Sequence, residues 1–512
     1  MNHAPRDRFA VTRRRLLAGS VAGAIAAAMP SLLTTDARAQ DAARLDEITI
    51  DLEIEPASLD PALGDDVNGW SVIHSIYDSV VNIGPDGEAE PLLAESVDFP
   101  DPLTCRIVLR GDRTFHDGSP VTSDSVKAAL DHIRDPQTGS LIVDNFAPIE
   151  TVSIIDDRTV DFGLSAPAPY LLAQFAPWLT PFPPSAAGSL GSKPVGAGPY
   201  RFVSWTAGEN IVLEADPAYP ADSPKGRAIA NRVTFRFVPD ATTRVADLLS
   251  GASSIIRAVP PEQTAVVEDG AATIVAHPVT GIALVRIAND VEPFIDPRVR
   301  QALNHAVDVQ TIIDTLLNGN GQRLASLFPE GGLGYDPNLA PMAYDPELAR
   351  SLLAEAGYPD GFAVEMEHTA DGVQTVPEAI IGMLAEVGID VTLKLVETAT
   401  FNQTWTAGAP LRYLTWRPVN DPYTLLNLVF SSGGYLSRFS SEKVQPLIDQ
   451  AAVETDPDRR AAVYRELGAA LQDDPAAIYL NSLVSLTGLA NGVPAWTPRA
   501  DDYTIPTVVA EG

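Results

Sequence analysis

Six histidines follow residue 39: His74, His116, His132, His277, His305 and His368. Imidazoles suit general base work or metal ligation near neutral pH, yet no two of these stand at a metal-ligand spacing. His305 follows Asn304 in a helical run, and His116 sits in the turn-like Phe115-His116-Asp117-Gly118-Ser119-Pro120, so structural or surface roles are expected. The single cysteine, Cys105, alternates with Ile107 and Leu109 on one face of a strand-like run and reads as a small buried hydrophobe. A lone cysteine also excludes an intrachain disulfide. Beyond residue 39 there is no Gly-x-Ser-x-Gly elbow, no His-Glu-x-x-His zinc helix and no Gly-x-x-x-x-Gly-Lys phosphate loop. Gly196-Ala197-Gly198 begins like a dinucleotide fingerprint but continues Pro199-Tyr200-Arg201, without a third glycine or a helix start. Carboxylates are so abundant that a close pair would not by itself indicate a glycosidase. The sequence therefore predicts no catalytic constellation, no metal and no cofactor.

The elements that would position a site come next. Thr12-Arg13-Arg14-Arg15-Leu16-Leu17 precedes an Ala/Val/Leu-rich stretch, and Ala37-Arg38-Ala39 closes it. A basic n-region, an apolar h-region and a small-x-small site describe a leader over 1–39, with the paired arginines of a twin-arginine export signal. The alternative is a permanent anchor, which the Ala/Gly-rich run interrupted by Pro30 would serve poorly. No cysteine near the cleavage site offers a lipid anchor. Residues 1–39 carry six Arg and two Asp, so the remainder holds 29 basic and 65 acidic residues, a net −36. Such a chain is a poor partner for nucleic acid or anionic lipid. No later stretch is long and apolar enough to span a bilayer, so no membrane insertion is expected after processing.

Strand-like runs alternate with amphipathic helices, which implies an α/β or α+β class. Ile48–Ile54, Arg106–Leu109 and Arg232–Val238 alternate with period two. Helices are signalled by their caps: Asp296-Pro297, Asp308, Asp345-Pro346 and Asp456-Pro457 each precede an apolar stripe, and Gly319 and Gly357 supply stops. Prolines cluster between Pro167 and Pro199, a candidate boundary, with others near 279–288 and 480–489.

Seven segments, in order, resemble the large extracytoplasmic solute-binding proteins of peptide/nickel-type ABC transporters (solute-binding protein family 5). They are Glu55-Pro56-Ala57-Ser58-Leu59-Asp60-Pro61, then Leu109-Arg110 with Phe115-His116-Asp117-Gly118-Ser119-Pro120-Val121-Thr122, then Gly196-Ala197-Gly198-Pro199-Tyr200 with Trp205. Asp216-Pro217-Ala218-Tyr219, Phe294–Asp308, Ala349–Phe362 and Ala385–Val391 follow. In the second segment Ser125 stands where an acidic residue normally completes a capping box, so Asp124 is expected to substitute.

The resemblance implies an α/β, two-lobed periplasmic-binding-protein fold of the large class, with an extra inserted domain and a hinge between lobes. The first lobe would combine 45–80, 190–280 and 485–512, with the insert at 81–189; the second would be 281–484. It implies a periplasmic monomer that captures a small solute, peptide-like or anionic, by closing around it, and passes it to ABC permease transmembrane subunits. An exported sensor or chaperone, or a secreted hydrolase, on the same scaffold is the alternative. The resemblance also places Trp416 at the cleft, with Arg417, Asp421, Tyr423, Tyr435, Arg438, Asn68 and Trp70 as further ligand-facing candidates. Relatives that read a free peptide amine carry an aspartate three residues after that tryptophan; here Val419 stands there. With Arg417 as a fixed cation nearby, suited to a carboxylate or phosphate, the expected ligand has an anionic, neutral polar or blocked-amine group at this spot.

Overall fold

The computed structural model describes residues 44–64, 66–84, 87–270, 272–370, 372–417, 420–494 and 496–509. The export signal expected over 1–39 and Val419 lie outside them. A ten-stranded sheet forms the backbone of the fold. Its strands, in chain order, are β1 (Leu45–Leu52), β2 (Tyr200–Thr206), β3 (Asn210–Ala215), β4 (Ala230–Phe237), β5 (Ile255–Ile256), β6 (Ala272–Ile287), β7 (Phe362–Thr369), β8 (Ile389–Val396), β9 (Leu411–Trp416) and β10 (Ala477–Ala490). Their spatial order is β8-β7-β9-β6-β10-β5-β1-β4-β3-β2. β1 runs parallel to β4 and β5, and β7 runs parallel to β8 and β9. The long antiparallel pair β6 and β10 crosses from one half to the other, and its register breaks between Pro278 and Ile282.

Two bodies of apolar packing flank that crossing, and the result is two lobes. One core gathers Ile48, Ile50 and Leu52 of β1, the helix Val67–Ile76, and a four-stranded sheet whose member Thr104–Leu109 buries Cys105, Ile107 and Leu109. Full burial pushes the Cys105 thiol up to about 12, so it is an inert hydrophobe, as its strand position predicts. The other lobe holds two cores, built on β6, β9 and β10 and the helices Pro297–Ala306, Pro346–Glu355 and Pro457–Asp473.

Local chemistry explains the helix starts. Asp296, Asp308, Asp345 and Asp456 each accept a backbone N–H two or three residues on, at 2.9, 3.1, 2.9 and 2.9 Å. The capping box at Thr122 departs from expectation. Ser125 completes it directly, its hydroxyl accepting the Thr122 N–H at 3.1 Å, and Asp124 does not substitute.

The sequence motifs meet one another in the first lobe. His116 N–H donates to the Gly196 carbonyl at 2.9 Å, and its Nε2 lies 3.0 Å from the Gly198 carbonyl oxygen. Trp205 Nε1 donates to Glu55 at 2.8 Å. The glycines permit the contact: a Cβ on Gly196 would stand 2.1 Å from the Ile76 carbonyl oxygen at the end of the helix Val67–Ile76. Gly196→Ala is therefore expected to cost about 1–3 kcal/mol through backbone displacement, read as a lower urea midpoint at unchanged m-value. An unchanged midpoint would show that the loop carrying Gly196 yields freely.

Candidate functional site

The lobes meet along a seam supplied by both. Its first-lobe wall is the helix Val67–Ile76, the helix Leu171–Trp178 and the C-terminal segment 499–504. The facing wall is formed by Trp416 and Arg417 at the end of β9, by Asn420 and by the short helix Pro422–Leu425. Tyr170 stacks on Tyr423 with ring centroids 3.9 Å apart. Gln174 Nε2 donates to the Thr424 hydroxyl at 2.6 Å, while its buried Oε1 has no hydrogen-bond partner. Between the walls lies a small space of about 10 Å³, the scale of one water, whose lining includes His74, Asn82, Asn420, Arg499, Asp501 and Tyr503.

Charge is concentrated at the foot of this seam. Glu53 and Arg257 stand one residue beyond the carboxyl ends of parallel β1 and β5, where open α/β sheets take their ligands. Arg257 Nε lies 3.3 Å from Glu53, and its Nη2 lies 3.1 Å from Asp502. From the opposite lobe Arg417 reaches the same Asp502 oxygen at 2.9 Å. The two guanidiniums, Arg257 before Arg417, hold the Asp502 carboxyl below its ordinary value despite burial. A little further along, Arg499 pairs with Asp501 at 2.5 Å and donates to Asn82 and the Ile83 carbonyl.

The residues expected at the cleft separate into three groups. Arg417 and Tyr423 reach across the seam. Trp416 ends β9 half-buried, edge-on to Trp405 with centroids 6.2 Å apart. The others have different work. The Asp421 carboxylate caps the helix Pro422–Leu425 and takes both Nη atoms of Arg460 at 2.5 and 3.0 Å, so it is fully engaged. Trp70 is core, stacked on Tyr503 and edge-on to Trp178. Asn68 is buried, its Oδ1 accepting the Glu53 N–H at 3.2 Å. Arg438 is bound to Asp290 and the Gly408 carbonyl, and Tyr435 is 70% exposed. Arg417 has a carboxylate partner of its own in this structure, Asp502.

Residues 88–437 match the model of the bacterial extracellular solute-binding proteins, family 5 Middle. The chain belongs to this family. It is 31% identical over 350 residues to the glutathione-binding protein GsiB of Pectobacterium atrosepticum, which covers 66% of this chain and 67% of that one. It is 26% identical over 460 residues to the probable D,D-dipeptide-binding periplasmic protein DdpA of Escherichia coli K12, covering 85% and 88%. Among solved structures, the binding protein AgaA of A. tumefacien R10 in complex with agropinic acid superposes with a TM-score of 0.79 at 29% identity, over 90% of this chain and 96% of that one. This family 5 protein is thus an extracytoplasmic solute-binding component of an ABC importer. No described helix is long and apolar enough to cross a membrane, and no described cluster of three His, Cys, Asp or Glu could hold a metal ion.

Sequence reasoning did not find Asp502, Arg257, Glu53, Tyr170 or Gln174. The one available signal was Asp501-Asp502 inside the otherwise uncharged tail Ala500–Pro506, an odd place for two charges unless they are paired in the interior.

The buried histidines of this lobe add a pH dependence. Burial, then Lys225 and Arg499, holds His74 well below its ordinary 6.5; burial lowers His116 and His277 as well. An unfolded chain protonates them near 6.5, the folded chain only at lower pH. Their contribution is complete above the unfolded value and is lost as pH falls through the folded values, at up to about 1.4 kcal/mol per pH unit for each group. Urea midpoints should fall from about pH 7.5 to about pH 5.5. Equal midpoints would mean that these rings are protonated in the fold.

Proposed function

We propose that this family 5 protein captures a small, peptide-like or otherwise polar solute between its lobes and hands it, as a monomer, to the permease subunits of its importer. The observation that carries this is the seam itself: polar and charged side chains from both lobes converge at the carboxyl ends of β1 and β5. The lobes would consist of 45–80 with 190–280 and 485–512, the insert 81–189, and 281–484. The hinge would lie where β6 and β10 lose register, near 280 and 484. Gly281 suits that place, since a Cβ there would meet Arg417 Cβ at 2.9 Å. Charged groups at the seam are matched internally, so the solute must bring hydrogen-bonding groups of its own. Small-angle scattering tests the reading. Adding a solute identified by mass spectrometry of the denatured protein should reduce the radius of gyration, whereas identical curves would count against closure.

Export through the twin-arginine route belongs to the same proposal. Replacing Arg13 and Arg14 together with Lys should leave the precursor in the cytoplasm. An undiminished periplasmic yield would assign export to another route.

A further inference from the structure

Asp502 has two guanidinium partners of unequal freedom. Its side chain is 1% exposed and the residue adopts a left-handed backbone, φ +65°. Arg257, 2% exposed, holds it from within the lobe and donates also to the Asp502 carbonyl at 2.7 Å and the Thr504 hydroxyl at 2.6 Å. That arginine is shared, because its Nε faces Glu53. Arg417 comes from the other lobe on a side chain that is 32% exposed, and among the described residues Asp502 is its only ion-pair partner.

Arg244, buried on the Arg257 and Ala258 carbonyls, also acts on Glu53 from within the lobe. If Arg417 swings into solvent, Asp502 keeps Arg257 as its one ion-pair partner among the described residues, a guanidinium that also faces Glu53, which is unfavourable unless another cation arrives. The converse exchange, with a solute anion replacing Asp502 on Arg417, would require moving the residue whose backbone and carboxylate are both tied to Arg257. The mobile member is Arg417.

We propose that Asp502 is the acceptor in the cleft for a positively charged group of the solute, an ammonium or a guanidinium, and that Arg417 is the exchangeable counter-ion which that group displaces. The inference rests on the solute-binding reading above and adds the charge of the group that is bound. It also reverses the sign expected from Arg417 in the sequence alone. Arg417 raises the threshold for binding, since a solute must outcompete a cation already in place. A neutral group cannot do so, and this gives discrimination without a new contact.

The test uses the processed full-length protein, stripped of bound solute by unfolding and refolding. The probe is a casein hydrolysate mixed with an aqueous small-molecule extract of bacterial cells, one half left with free amines and the other acetylated. Retained solutes are identified by mass spectrometry. The wild type should retain species bearing a free ammonium or guanidinium. Arg417→Met should increase their retention about threefold to tenfold, because the competing cation is gone. Asp502→Asn should abolish it. Arg417→Met leaves the Asp502–Arg257 pair intact, so the direction of its effect decides the matter even if Asp502→Asn fails to fold. Weaker retention by Arg417→Met, or equal retention of acetylated and free species, overturns the inference while leaving the solute-binding reading standing. No solute retained from either half overturns both.

Discussion

Arg460→Met is expected to destabilise the protein by about 3–5 kcal/mol, the range found when one partner of a buried ion pair is removed. Arg460 is 6% exposed and is used at every nitrogen. Nε donates to the Ala451 carbonyl at 2.8 Å, both Nη atoms grip Asp421, and Nη2 also reaches the Tyr464 hydroxyl at 2.9 Å. Methionine fills much of the volume but leaves the Asp421 carboxylate, 8% exposed, with its helix-cap donor, Tyr423 N–H, and the Tyr464 hydroxyl at 3.3 Å. An uncompensated buried charge dominates the outcome, not lost packing. Asp421→Asn should cost less, because an amide oxygen still caps the helix and still accepts from Arg460. Urea unfolding read by fluorescence measures both variants. A loss below about 1 kcal/mol for Arg460→Met would mean that water reaches Asp421 and screens it. The pair also anchors the chain that carries Arg417 and Tyr423 to the helix Pro457–Asp473, so a variant that folds should close its cleft less well.

What could be read from the sequence was what is local. Asp-Pro at 296–297, 345–346 and 456–457 identifies helix starts because the cap and the capped N–H lie within three residues. The face of Cys105, Ile107 and Leu109 follows from period two. The motifs around His116 and Gly196 mark the scaffold, though their mutual hydrogen bonds span about 80 residues and could not be seen in either alone. The cleft was harder for the same reason. Asp421 is legible as a cap, but Arg460 lies 39 residues on. Arg417 announces a cation, yet Asp502 comes from another part of the chain. A sequence shows a charge and hides its partner, so Arg417 read without Asp502 looks like a free cation. The chain has few cations, and Arg257, Arg286, Arg300 and Arg412 are among the largest fully buried side chains. Each lies against carbonyls or carboxylates inside the fold. Among the described residues buried carboxylates match the buried cations in number, so the surface keeps the acidic balance of the whole chain, which repels anionic surfaces.

Lys225→Met is expected to cost about 3–5 kcal/mol, and the double variant Lys225→Met with Asp78→Asn to recover more than half of it. Lys225 is 1% exposed. Its ammonium donates to Asp78 at 2.6 Å and to the His74 and Tyr77 carbonyls at 3.0 and 2.8 Å, at the end of the helix Val67–Ile76. A cation there meets the negative end of the helix dipole as well as a carboxylate. Burial nevertheless outweighs these attractions and pulls the lysine below its ordinary value, so the pair is a compensated penalty, not a net gain. That distinction sets the shape of the result. Removing the ammonium alone strands Asp78, which keeps the Tyr219 hydroxyl at 3.1 Å and loses its cation. Neutralising both leaves an amide, a hydroxyl and an apolar chain, which a protein interior tolerates far better. A double variant no more stable than Lys225→Met alone would mean that the freed helix carbonyls, and not the stranded carboxylate, carry the cost. The ammonium would then act chiefly as the C-terminal cap of the helix whose side chains line the first-lobe wall of the cleft.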